Sequence, residues 1–383
     1  MMNKTWNFDE KPLLVFWETT KACNLACKHC RAEAIPEALP DELSYDEGIE
    51  LINQIVAFGK PYPVLILTGG DVLMRKRLFD LIAYARKNDI HVSVAPSITD
   101  LLTEEIIDKF VAYGVEGMSL SLDGASSESH DQLRGVAGTF DQTLRMARYA
   151  ANSGLKLQIN TTVMRSNIFE LPAIFKLIHD IGVDIWEVFF LIRTGRGSDQ
   201  RELTAEECED VCEFLYRTAQ YGITLRTVEG PFFRRAVLEH AADRALELRA
   251  RAKGLIENLH SLVGEETEPP RAGTAGTRDG GGIVFVAHNG DVSPGGFLPL
   301  VVGNVRYSKL PQLYKNAPLM LQLRRSSELG GRCGICSLSE RCGGSRARAY
   351  ASSGDVMAED PSCSRSSSIT IAPRMTVAHS FSL

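Results

Sequence analysis

No stretch of the 383-residue chain runs for about 18 uncharged apolar residues, so no segment reads as a membrane-spanning helix. No basic stripe exists either. Lys and Arg total 42 against 48 Asp and Glu, a net charge of −6, which argues against nucleic acid as a partner. The opening residues, Met1-Met-Asn-Lys-Thr-Trp-Asn7, lack the apolar core of a secretory signal. A reducing, cytoplasmic setting is therefore expected. There, nine cysteines read as metal or redox ligands instead of a disulfide framework.

What is present is a 44% apolar share, enough for a large core, and length for about two or three domains. Short apolar runs rich in β-branched and aromatic residues recur at Leu13–Trp17, Val64–Leu67, His91–Ala95, Met118–Leu122, Leu155–Val163 and Ile185–Leu191. Such runs suit buried parallel strands. Amphipathic segments fill the gaps. Ser44-Tyr-Asp-Glu47 reads as a capping box before Ile49, Ile52, Ile55 and Val56 at helical spacing. Six strand–helix units predict an α/β fold closed as a partial (β/α)6 TIM-like barrel, spanning residues 12–225. Working residues in such folds sit at the C-terminal ends of the strands.

The pattern changes after residue 225. Residues 226–282 read as a helical segment followed by a mobile linker over Gly264–Gly282. Ile283–Ala287 then looks like a strand entering a hairpin turn. A cysteine-rich domain is expected over 283–363 and a tail over 364–383. Beyond the strand–helix alternation there is no internal repeat.

Cys23, Cys27 and Cys30 follow the first strand in a C-x3-C-x2-C run. Three thiolates can hold a four-iron cluster and leave its fourth iron open to a small molecule. Zinc is the competing reading, with His29 as a fourth ligand, but His29 adjoins Cys30 and is awkward to use simultaneously. With this motif the sequence resembles the radical S-adenosylmethionine (SAM) enzymes over roughly Leu13 to Cys363. The resemblance implies a [4Fe–4S] cluster on Cys23, Cys27 and Cys30. SAM would chelate its open iron and be cleaved to a 5′-deoxyadenosyl radical that takes hydrogen from a substrate. Thr68-Gly69-Gly70-Asp71 ends the second strand and is similar to the segment that receives the SAM amino group. Val72 follows where the family commonly has proline. By the same resemblance Ser121 and Arg134 would contact the SAM carboxylate and ribose, and Asn160 would add a further contact. Leu191 and His29 would lie near the adenine. A plain turn, a surface arginine and a buried asparagine are the bland readings of Gly69–Gly70, Arg134 and Asn160.

Cys333-Gly-Ile-Cys336, Cys342 and Cys363 form a second set. Spacing alone leaves a four-cysteine zinc site open. The segment resembles the auxiliary-cluster extension called SPASM or twitch, and Cys342–Ala351 and Gly354–Cys363 resemble it as found in radical SAM haem-maturation enzymes. That implies one auxiliary [4Fe–4S] cluster with no open iron, acting as electron relay or support. A full extension would hold a second, inner cluster. Here Arg346 and Gly295 stand where its cysteines would be, so none is expected. Cys208 and Cys212, at i,i+4 on a helix, read as packing residues.

The resemblance implies an oxidoreductase or lyase that needs a reducing partner such as flavodoxin or ferredoxin. The first expectation for its substrate is a tetrapyrrole side chain, losing a propionate carboxyl. A ribosomally made peptide is the alternative, though no winged-helix recognition domain precedes residue 12. A small sugar or nucleoside intermediate is a third. Arg193, Arg196, Arg201, Arg346 and Arg348 are offered as carboxylate binders. A non-catalytic iron–sulfur or zinc scaffold is the reading from outside enzymology.

Overall fold

The computed structural model describes residues 6–242, 248–272 and 276–364. The expected tail from 365 onward lies outside the described residues. The six expected strands are present as β1 (Leu14–Glu18), β2 (Val64–Thr68), β3 (Val92–Val94), β4 (Gly117–Ser121), β5 (Lys156–Val163) and β6 (Ile185–Phe190), each parallel to the next. Helices α1 (Tyr45–Val56), α2 (Leu78–Lys87) and α3 (Glu104–Ala112) fill the first three gaps. α4 (Ser127–Arg134) and α5 (Thr139–Ala151) share the fourth, and α6 (Leu171–Ile181) occupies the fifth. The capping box at Ser44 forms as expected: the Glu47 N–H donates to Ser44 Oγ (3.2 Å) and the Ser44 N–H to Glu47 Oε2 (2.7 Å).

The sheet does not stop where the composition changes. After α7 (Ala205–Thr218), β7 (Thr224–Val228) continues it in parallel with β6. α8 (Phe232–Ala241), α9 (Ala250–Val263) and the short β8 (Arg278–Asp279) follow. β9 (Gly282–Val286) then returns to pair in parallel with β1 on the opposite edge. The strand expected inside a separate C-terminal domain is thus part of the barrel sheet. β10 (Asp291–Ser293) and β11 (Gly303–Asn304) extend that edge in antiparallel fashion, with the expected turn at Asn289-Gly290. The segment read as a mobile linker is also corrected in part. Arg271 accepts from the Leu225 N–H (2.9 Å) and donates to Ala219 O (2.8 Å), which occupies the open edge of β7. Four short helices complete the described residues: α10 (Leu310–Asn316), α11 (Pro318–Arg324), α12 (Gly331–Ile335) and α13 (Arg346–Ser353).

Side chains alternate across every strand. Val15 and Trp17 are fully buried, and Trp17 packs at Gly48 of α1 beside Leu81 of α2, so this phase faces the helices. The opposite phase lines the barrel interior. It includes Gln158, Asn160 and Thr162 of β5 and Glu187 and Phe189 of β6, all half-buried. An interior of half-buried polar side chains is a lined cavity, with the helix-facing phase forming the core.

Candidate active site

The loop after β1 carries Cys23, Cys27 and Cys30, which pack together with Leu25 and Ala34. Other strand ends fix its backbone. The Gly70 N–H donates to Thr20 O (2.8 Å) and the Asp71 N–H to Ala22 O (2.6 Å). A methyl group on Gly70 would collide with the carbonyl oxygens of Lys21 and Ala22, so glycine is required by this approach. Gly195, at φ +54°, lies equally close to Arg31 O. The Lys28 N–H donates to Leu133 O (2.9 Å) at the end of α4. Arg196, offered above as a substrate binder, instead clamps the loop. Its Nε donates to Cys27 O (3.0 Å), Nη1 to Ala34 O (3.2 Å) and its backbone N–H to Cys30 O (3.1 Å).

Asp71 is wholly buried and accepts from Thr99 Oγ1 (2.7 Å), the Leu73 N–H (3.1 Å) and the Ser97 N–H (3.3 Å). Its carboxylate is committed to protein donors, and burial raises its pKa. Arg134 reaches Cys27 Sγ (3.7 Å) and forms a close ion pair with Asp123. Asp123 also faces His29 Nε2 (3.5 Å) and accepts from the Thr162 N–H (2.6 Å). Burial alone would raise the Asp123 pKa; Arg134, His29 and His130 outweigh it, and the net direction is down. His29 and His130 are both pushed down to about 4, chiefly by burial. Nδ1 of His130 accepts the Asp123 N–H (3.1 Å), so its lone pair is in use.

Strand register assembles a polar layer across the interior. Ser121 pairs with Asn160, Asn160 with Glu187, and Glu187 with Arg226. Gln158 Nε2 bridges Asn160 Oδ1 (2.7 Å) and Glu187 Oε2 (2.9 Å). Burial raises the Glu187 pKa, against the pull of Arg226 and Gln158. Leu191 joins Leu133 and Met164 in a small apolar cluster. On the β9 side, Arg31 bonds Glu18 (3.0 Å) and Gly296 O (3.1 Å) and lies over the Phe285 ring at 4.7 Å, while Phe189 meets Phe297 at 6.1 Å.

In the second cysteine set Cys333 lies in α12, Cys336 directly follows it, Cys342 precedes α13 and Cys363 comes after α13. Gly343 and Gly344, at φ +68° and +67°, reverse the chain after Cys342, and the Gly344 N–H donates to the Cys342 sulfur. Burial pushes that thiol up to about 12. Arg346 and Arg348 are not available to a substrate. Arg346 holds Val356 O (2.9 Å) and Ala358 O (2.6 Å), and Arg348 pairs with Asp360 (3.4 Å). A side chain at Gly295 would collide with the Asp279 carboxylate. Cys208 and Cys212 are buried in the core, 1% and 0% exposed.

Residues 17–178 match the family model described as the radical SAM superfamily. Over 354 residues the chain is 38% identical to an AdoMet-dependent heme synthase of Nitratidesulfovibrio vulgaris, covering 92% of each. The chain belongs to the radical SAM superfamily. It is also 31% identical over 375 residues to an Fe-coproporphyrin III synthase of Methanosarcina barkeri, covering 93% of this chain and 88% of that one. Among solved structures, SuiB of Streptococcus suis bound to its precursor peptide SuiA superposes with a TM-score of 0.68 at 15% identity. That match covers 93% of this chain and 76% of SuiB, and it is a likeness of fold.

Membership in the radical SAM superfamily implies a [4Fe–4S] cluster and SAM, and the residues fit them. Arg196 Nη2 and His29 Nδ1 are buried beside the cysteine loop with no hydrogen-bond partner among the described residues. No three thiolates lie within 4.8 Å of one another among those residues, wider than the separation of about 3.8 Å that one tetrahedral zinc draws. Sequence reasoning missed Asp123 and the Arg196 clamp. It also missed the continuation of the polar layer into Glu187 and Arg226. The partners of these residues lie in other strands, so no local spacing signals them.

Proposed function

We propose that this radical SAM enzyme removes a hydrogen atom from a tetrapyrrole side chain and releases a propionate carboxyl as CO2, leaving a vinyl group. The observation that carries the reading is identity of 38% to an AdoMet-dependent heme synthase across 92% of both chains. Bound to Cys23, Cys27 and Cys30, the cluster and SAM would supply the 5′-deoxyadenosyl radical. A low-potential donor such as flavodoxin or ferredoxin would supply the electron for SAM cleavage. Cys333, Cys336, Cys342 and Cys363 would hold one auxiliary [4Fe–4S] cluster, in a cytoplasmic protein.

The chain's own residues have assignable parts in this reading. Gly69, Gly70 and Arg196 hold the cysteine loop rigid. Arg134 and His29, oriented by Asp123, and Ser121 with Asn160, provide the polar wall for SAM. Leu133, Met164 and Leu191 keep water from the adenine side. Arg226 has no hydrogen bond or ion pair within contact distance among the described residues, and a carboxylate of the substrate would suit its planar fork. Phe189 and Phe297 offer flat apolar surface to a macrocycle.

Binding tests this directly. Iron-coproporphyrin III added to the anaerobic protein is expected to shift its Soret absorbance saturably, and Arg226→Gln is expected to weaken that binding about tenfold or more. No spectral shift with the cluster-loaded protein would sink the tetrapyrrole assignment.

A further inference from the structure

Four arginines converge on the segments that carry the second cysteine set. Arg346 Nη2 lies 3.8 Å from Cys333 Sγ. Arg234 Nη1 donates to Arg341 O (3.3 Å), next to Cys342. Arg278 Nη2 donates to Glu340 O (2.9 Å), and its Nη1 stands 3.0 Å from where a Gly343 side chain would begin. Arg332 Nη1 donates to Cys363 O (3.0 Å).

Their counter-charges differ. Arg332 is neutralised by Glu359 (3.0 Å). The other three are held by carbonyl oxygens: Arg234 also bonds Thr277 O (2.5 Å), and Arg346 bonds Val356 O and Ala358 O. Glu229, Asp279 and Glu340 are close enough to be felt by these guanidiniums, but none makes an ion-pair contact with them among the described residues. Arg346 is 3% exposed. Buried cations without an anion in contact are costly. Cys333 faces Arg346, and Cys342 is felt by both Arg234 and Arg278.

We propose that Arg234, Arg278 and Arg346 form a cationic cage that raises the reduction potential of a cluster held by the second cysteine set. The inference rests on the reading of Cys333, Cys336, Cys342 and Cys363 as ligands of that cluster. Net charge near a cluster is one of the settings of its potential. Reduction adds one negative charge, which three guanidiniums without an ion-pair contact favour. The electron count of the proposed reaction requires an acceptor. Removal of a hydrogen atom from the propionate chain leaves a carbon radical; breaking the bond to the carboxylate gives the alkene, CO2 and one surplus electron. A [4Fe–4S] cluster held by Cys333, Cys336, Cys342 and Cys363 would be able to take that electron in a one-electron reduction.

The test uses the full chain with Cys23, Cys27 and Cys30 all replaced by serine, so that only the second set can bind iron. Potentiometric titration followed by electron paramagnetic resonance reads the midpoint, and iron analysis reads occupancy. With about four irons per chain, Arg346→Gln is expected to lower the reduction equilibrium constant about tenfold, about 59 mV for one electron. Arg278→Gln, which gives up a single carbonyl contact, is expected to move it in the same direction. The charge-keeping Arg346→Lys and Arg278→Lys should restore most of the shift. If Arg346→Gln fails to assemble a cluster, Arg346→Lys should rescue assembly; failure of both would assign Arg346 to packing and overturn the proposal for it. Full iron with an unchanged midpoint in the Arg278 and Arg346 glutamine forms would overturn the cage. Absence of iron in the triple-serine protein would instead remove the auxiliary-cluster reading on which the cage depends.

Discussion

Arg196 shows how a residue's chemistry is decided by where its partners lie. Read locally it is one arginine among several after β6. In the fold it ties β6 to the cysteine loop, 169 residues upstream, through Cys27 O. A hydrogen bond from a charged donor contributes about 1.5–3 kcal/mol, and Arg196 makes two such side-chain bonds. Arg196→Ala is therefore expected to leave the barrel folded and loosen the loop. Iron retained at the first set during anaerobic gel filtration should fall at least severalfold, while the second set keeps its own. Equal retention at both sets would show that the clamp is dispensable. The cysteine loop stood out in the sequence because three cysteines within eight residues make a local pattern. Asp123 did not, because its meaning comes from Arg134, His29 and the β5 backbone together.

At the scale of elements, α4 is tied to β4 through His130. The Asp123 N–H donates to its Nδ1, and protonation there would break that bond. The folded pKa of about 4 lies below the ordinary 6.5, so the unfolded chain takes the proton first as pH falls. Stability from this group is complete above pH 6.5, is lost progressively down to about pH 4, and changes no further below. The loss is on the order of 3 kcal/mol, and His29 adds a second proton in the same window. Denaturant midpoints of iron-free protein measured from pH 7.5 to 4 should show the slope. His130→Gln should start less stable and lose about half of that slope; an unchanged slope would rule His130 out as its source. Six strands were legible because their residues make short, dense apolar runs. β7 was not: Arg226 interrupts its apolar pattern, since its other face lines the interior cavity instead of a second helix layer. β9 was readable as a strand, but its pairing with β1 is a long-range fact that no local pattern carries.

On the proposed reading, the whole molecule divides labour between two cysteine sets. The first sits at the C-terminal end of β1, and the chain that leads to the second starts from β9, the direct neighbour of β1. On this account the reconstituted protein holds two clusters. Iron analysis should give about eight irons per chain, falling to about four when either set is replaced. About twelve would contradict the expectation that there is no inner cluster. Among the described residues, no helix is long and apolar enough to cross a membrane.

Turnover tests the central claim most directly. The cluster-loaded protein is incubated anaerobically with SAM, a strong reductant and iron-coproporphyrin III, and products are read by mass spectrometry. The account predicts 5′-deoxyadenosine together with a porphyrin lighter by the mass of formic acid for each propionate converted, and neither product from Cys27→Ala. Deoxyadenosine formed with the porphyrin unchanged would contradict the account of the substrate, and no deoxyadenosine above the Cys27→Ala background would contradict the account of the chemistry.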